Sequence, residues 1–343
     1  MTASIDKTLL EPRTSGCLHP ALRTKRLTST QPIGPWSLAA IALAAAVAIT
    51  LRPLGLDRDY SEYWLYFHDR PARSARIDIS AFGLLWQAAR ALEFSFGTVL
   101  AMTTFAAVLP KLVVLTRRPL AWIWLVYYGL ALVPLHEYTQ VRLAVGLGLM
   151  FLALDRAVRK GRSDLHTVAW AAMAAWTHPT LLLYIPWLIA WRWIGRHWGV
   201  GIVLAIAPLL VRHSTLVTAI SPFHTHDLLA LSTETDYQSG NPISARNLIL
   251  VTVTLIGLLN IRSLPPANRP AVFILTCSLS TWYAMSQLPL IAHRVLELAM
   301  VAPLFWIPEL PATARWISAM LMLCLAAGLA YLFLSDPTFF MRS

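Results

Sequence analysis

From residue 36 to residue 334 the chain is written largely as apolar runs, at 36–51, 94–115, 119–135, 141–155, 165–176, 179–194, 198–211, 247–261, 271–290, 294–308 and 314–334. An upright helix needs about 20 residues to cross the hydrocarbon of a bilayer, and these runs reach or approach that length. The overall composition agrees. Hydrophobic residues make up 57% of the chain and charged ones only 13%, with a mean hydropathy of +0.58, far from the usual soluble range. The 14 Trp suit a protein with many side chains at the water–lipid boundary. The expectation is an all-α, polytopic membrane bundle of about eleven transmembrane helices.

Residues 1–35 carry Pro12, Pro20, Pro32 and Pro35 among many Ser and Thr, the composition of a disordered tail. No cleavable signal is evident. Residues 36–335 form a single transmembrane domain with outer loops at 52–93 and 212–246, and 336–343 form a short C-terminal tail. Cys17, Cys277 and Cys324 are isolated in sequence and read as small hydrophobes.

Basic residues in short loops stay on the cytoplasmic side. With the tail inside, the inner segments hold Lys7, Arg13, Arg23, Lys25, Arg26, Arg117, Arg118, Arg156, Arg159, Lys160, Arg162, Arg192, Arg196, Arg262, Arg269 and Arg315. Almost the whole net charge of +11 lies there. The charge therefore reports orientation, and no basic stripe points to nucleic acid. The expected location is a bacterial inner membrane, with a cytoplasmic N-terminus.

The same sorting places Asp57, Asp59, Glu62, Asp78, His136, Glu137, Arg142, His178, Asp227, Glu234, Asp236, His293 and Arg294 outside, or in the outer halves of spans. An ionisable group inside a span costs about 2.5–3.5 kcal/mol on insertion scales, so Arg142, His178 and Arg294 should face a protein-lined cavity. In the first outer loop, "LGLDRDYSEYWLYFHDR" sets Tyr60, Tyr63, Trp64 and Phe67 at helical spacing. That stripe reads as a helix lying in the membrane interface, with sugar stacking as the alternative use. Asp57 and Asp59 resemble a DxD metal pair, but two acids in a loop usually signify solvation; their alternative is general-base work. A second amphipathic stretch, "RIDISAFGLLWQAARALEF", leads back into the membrane.

Arg142 lies one turn inside "HEYTQVRLAVGLGLMFLALDRAVRKGR". A guanidinium at that depth stays charged and requires an anion, either a carboxylate such as Glu137 or a phosphate, unless it snorkels to the surface. In "WTHPTLLL", Pro179 suits the first turn of a new helix, and His178 either caps the break or lines a cleft. Segment 212–246 is too polar to span and has the length of a lid or acceptor-binding loop, with Tyr237 placed to touch glycan. His224, His226 and Asp227 lack a further matched ligand there. No metal and no cofactor is expected.

"LDRDYSEYW", "QVRLAVGLGLMFLALDRAVRKGR", "WAAMAAWTHPTLLL" and "HRVLELAMVAPLFWIP" occur in that order over residues 55–310. In this the chain resembles the EpsG family of exopolysaccharide polymerases, part of the wider Wzy-like group. Two departures stand out: Leu143 follows the motif arginine where members often have Gln, and "RIDIS" replaces an acid-Pro-Gly segment, with Asp78 standing in for the acid.

The resemblance implies a GT-C-like glycosyltransferase joining repeat units carried on a polyprenyl pyrophosphate at the outer face. Arg142 and Arg294 would bind the pyrophosphate, where negative charge grows as the anomeric bond breaks. His178 ranks first as base for the acceptor hydroxyl, with Asp59 and Glu137 behind it. Asp57, Tyr60, Asp78, His136, Tyr237 and His293 would contact glycan. Membrane lipid, a chain-length regulator and export proteins are the further partners implied. A flippase of lipid-linked glycans is the alternative; it requires polar groups on both sides of the midplane, whereas this chain concentrates them on one. A glycan ligase is the rival within enzymes. Reporter fusions after residues 117 and 230 should report opposite sides of the membrane; finding both on one side overturns the sorting.

Overall fold

The computed structural model describes residues 34–51, 63–65, 67–68, 80–138, 140–210, 244–285 and 289–335. The described residues are helical, with no strand among them. The tail expected over residues 1–35 lies outside them apart from its last two residues, as do most of both long loops and the C-terminal tail.

In chain order the α-helices are α1 (Pro35–Thr50), α2 (Ala81–Ala91), α3 (Phe96–Leu115), α4 (Ala121–Tyr127), α5 (Val141–Lys160), α6 (Leu165–Thr177), α7 (Ile185–Ile189), α8 (Trp191–Arg196), α9 (Trp198–Ile206), α10 (Ala245–Leu259), α11 (Arg269–Ala284), α12 (Pro289–Ala299) and α13 (Ala312–Ser335). Among the described residues, α3 and α13 are long and apolar enough to cross a membrane. Shorter apolar helices cover Pro35–Thr50, Pro179–Ile189, Trp198–Leu210 and Ala245–Leu259.

Most helix starts have a local cause. Ser80, Ser95, Asp164 and Ser244 each accept a backbone N–H two or three residues into the next helix, supplying one of the partners that a helix N-terminus lacks. Asp164 is also held by Arg156, whose Nε lies 2.8 Å from Oδ1. The hydrogen bonds from Arg156 and from the Thr167 backbone hold the Asp164 carboxyl well below the usual range.

Prolines set where helices stop. The apolar run at 179–194 is a chain of short pieces: a 3-10 turn at Pro179–Tyr184, then α7, then α8. Pro179 and Pro186 both sit in a first helical turn, where the missing N–H costs nothing. The run at 294–308 likewise ends its helix at Ala299 and continues as 3-10 turns at Ala302–Phe305 and Ile307–Glu309, each with Pro in its first turn.

The centre of the bundle is α5, about 30 Å long at helical rise. Nearly every residue from Val141 to Val158 except Arg142, Val145, Leu149, Leu152 and Arg156 is buried. Small residues let its neighbours come close. A Cβ on Gly148 would sit 2.9 Å from the Ala107 carbonyl oxygen of α3. A Cβ on Gly146 would sit 2.5 Å from Leu181 Cδ1 and 3.2 Å from the Ala174 carbonyl oxygen. The two glycines of "GLG" therefore seat α5 against α3 on one side and against the α6 break on the other. Outside this core, large apolar side chains such as Trp122, Leu130, Leu204, Leu255, Met320 and Leu334 are exposed. Exposure on that scale marks an apolar surround in place of water.

Gly148→Ala should lower the thermal midpoint of the detergent-solubilised protein, at a cost of about 1–3 kcal/mol for overpacking. Gly328→Ala, whose new Cβ meets nothing within 4 Å, should be neutral or mildly stabilising. Equal behaviour of the two variants on a melting curve contradicts the close approach.

Candidate functional site

The site gathers where α6 breaks. Helix α6 closes with the His178 N–H donating to the Ala174 carbonyl. His178 itself is extended, at φ −145° and ψ 113°, and the next bond runs from the Leu181 N–H to the His178 carbonyl. The Thr177 carbonyl thus leaves the helical ladder. Arg142 supplies its donor, with Nε 2.9 Å from that oxygen.

This bond fixes the direction of the guanidinium relative to the end of α6. The backbone N–H of Arg142, one of the donors that the start of α5 cannot satisfy internally, reaches the Tyr63 hydroxyl at 3.3 Å. Arg142 is half-buried. Its backbone and side chain together join the first loop, the start of α5 and the end of α6.

His178 is also half-buried. Its Nδ1 lies 2.7 Å from the Thr180 hydroxyl, and it makes no side-chain bond to the backbone of the 3-10 turn. The break is therefore capped by backbone, and the imidazole is braced by Thr180. Gly146, one turn into α5 from Arg142, keeps room for this arrangement; its Cβ would stand 3.6 Å from His178 Cβ.

The aromatic stripe of the first loop turns partly inward. Phe67 is buried and Tyr63 half-buried, and both pack against Trp86, at centroid distances of 5.7 and 5.8 Å. Phe82, Ala89, Phe96, Val99, Leu100 and Val141 complete this small second core. Trp64 stays more exposed and stacks on His68. The inner aromatics hold Tyr63 beside Arg142, a packing role for two residues of the stripe.

His136 and Glu137 occupy the last turn of a π-helical stretch, Tyr128–Tyr138, that continues α4. Both are fully buried. Glu137 Oε1 pairs with Lys111 of α3 and accepts the Tyr128 hydroxyl at 2.9 Å. Its Oε2 is buried with no hydrogen-bond partner among the described residues. Lys111 is one residue that reading the sequence missed. It is the one charge between Phe96 and Leu115, and that isolation in an apolar run was the available signal. Two more ionisable groups escaped notice: Arg246, at the start of α10, lies in the field of Glu297, a buried carboxylate on α12.

The structure thus brings Arg142 and the His178 turn together, and it places Glu137 in an ion pair with Lys111. His293 and Arg294 lie on α12, described there by backbone alone. Asp57, Asp59, Tyr60, Asp78 and Tyr237 lie outside the described residues.

Removing one partner of a buried pair strands the other charge, at a cost of about 3–5 kcal/mol. Lys111→Met should lower the thermal midpoint strongly, and Lys111→Met with Glu137→Gln should recover more than half of the loss. A single variant as stable as the parent would show that the pair carries no weight.

In a comparison with protein families, residues 36–340 match the model described as the EpsG family. No curated protein and no solved structure gives a match.

Proposed function

The chain belongs to the EpsG family, and from that membership we propose that this helical membrane protein is a polymerase of exopolysaccharide or a related surface glycan. Its substrate is an oligosaccharide repeat unit on a polyprenyl pyrophosphate. About eleven spans in a GT-C-like arrangement, a cytoplasmic N-terminus in the inner membrane and an outward-facing site complete the proposal. A chain-length regulator and export proteins are its proposed partners.

In the transfer, the hydroxyl oxygen of one unit attacks the anomeric carbon of another. The bond from that carbon to the pyrophosphate oxygen breaks, and the glycosidic bond forms. The electron pair leaves with the lipid pyrophosphate, and the hydroxyl proton passes to a base. Arg142 meets the first demand as a cation that stabilises the growing charge, and Arg294 is the proposed second one. His178 is the proposed proton acceptor, with Asp59 and Glu137 behind it. Asp57, Tyr60, Asp78, His136, Tyr237 and His293 are the proposed glycan contacts.

The observation that supports this reading best is the bond from Arg142 Nε to the Thr177 carbonyl. It sets a permanent cation against Thr177, the residue preceding His178, at a helix break that Pro179 opens. A planar guanidinium with several fixed donors suits a pyrophosphate better than a mobile ammonium does.

Arg142→Ala should abolish polymer while the protein stays in the membrane and single lipid-linked repeat units accumulate. Normal chain length in that variant would sink the proposal. His178→Asn keeps an acceptor and donor for Thr180 but cannot take the proton, and should reduce turnover by about 10²–10⁴-fold with membrane levels unchanged. Purified protein, a lipid-pyrophosphate repeat unit and mass analysis of the products provide the measurement.

A further inference from the structure

At the end of α5 opposite Arg142, a surface cavity of about 500 Å³ opens between three elements. The end of α5 contributes Lys160 and the turn after it Arg162, α8 contributes Arg192 and Arg196, and the turn before α11 contributes Pro266 and Ala267. No carboxylate lines it. Neighbouring bases at this end have carboxylate partners: Arg118 and Arg159 share Asp155, and Arg156 pairs with Asp164. Among the described residues none of the four cavity cations has such a partner.

Gathering four cations in one cavity is unfavourable unless an anion joins them. The walls are nonetheless held in place. A Cβ on Gly195 would lie 2.3 Å from the Pro266 carbonyl oxygen, so α8 rests directly on the proline turn. Trp191 Nε1 donates to the Ala267 carbonyl at 2.9 Å, and Arg269 ties the Gly195 carbonyl at 3.0 Å and the Leu264 carbonyl at 3.1 Å. Arg192 and Arg196 stand four residues apart and so share one helix face. Beside them Ile189 and Trp193 are exposed, at 71% and 51%, giving the cavity an apolar flank.

We propose that this cavity binds a phosphate-bearing anion, supplied either by the headgroup of an anionic membrane lipid or by a soluble polyphosphate. Basic pockets among membrane helices on the cytoplasmic side take such headgroups, and the apolar flank offers a path for acyl chains. The assignment stands apart from the polymerase reading, because none of its residues belongs to the Arg142 and His178 site.

The test follows thermal unfolding of the purified full-length protein in neutral detergent while cardiolipin, phosphatidylcholine or inorganic pyrophosphate is added. Cardiolipin or pyrophosphate should stabilise at concentrations where phosphatidylcholine does not. The half-effective concentration should rise roughly tenfold or more in Arg192→Gln with Arg196→Gln, and again in Lys160→Gln with Arg162→Gln on the opposite wall. Arg117→Gln, an exposed base outside the cavity, should respond like the parent. Stabilisation by cardiolipin alone assigns a lipid, and stabilisation by pyrophosphate as well assigns a soluble source. Equal stabilisation by phosphatidylcholine, both double variants responding like the parent, or an equal loss in Arg117→Gln overturns the site.

Discussion

Close backbone approach along α5 is the constraint on which the rest of this structure depends. Between apolar helices in an apolar surround there is little hydrophobic force to bring them together, so contact rests on packing and on hydrogen bonds. Gly148 lets the Ala107 backbone of α3 lie against α5, and Gly146 does the same for the Ala174 carbonyl and Leu181. Those two contacts decide what Arg142 can reach. One turn from Gly146, it meets the Thr177 carbonyl because the α6 break has been drawn against the start of α5. Pro179 frees that oxygen from the helix, and the glycine brings it within range.

Buried charge is handled in two distinct ways. In the body of the bundle, Lys111, Glu137 and Tyr128 form a compact group with almost no exposure. Such a pair contributes more to choosing one helix packing than to net stability, since desolvation offsets much of its attraction. At the far end, Asp155 collects Arg118 and Arg159 while Arg118 also stacks over the Phe305 ring. The bases that remain there converge on the cavity between α5, α8 and the proline turn. One end thus presents Arg142 oriented at a helix break, and the other a pool of positive charge.

Much of the helical framework was legible from residue order. The run at 94–115 became Phe96–Leu115 and the run at 165–176 became Leu165–Thr177, because apolar length and a Ser or Asp cap are local properties. The break at Pro179 was legible in the sequence, whereas the run at 294–308 read as one span and its 3-10 turns at Pro303 and Pro308 were missed. The π-helical turns at Tyr128–Tyr138 were missed too, since hydropathy averages over a window and is blind to a change of one residue in hydrogen-bond register. Lys111 was overlooked for the same reason: one charge barely lowers the mean of a 20-residue apolar helix.

By itself the sequence determined an apolar helical membrane protein of the EpsG family, with Arg142 near one end of α5 and Arg156, Arg159 and Lys160 near the other. These are matters of composition and spacing, and the cost of placing charge in a bilayer acts on them directly. Only the tertiary structure decided that Glu137 belongs to Lys111, that Arg142 belongs to the Thr177 carbonyl, and that four cations from two separate segments share one cavity. A buried polar group must find a partner. Which partner it finds depends on which helices come close enough, and that is set by contacts between residues far apart in the chain.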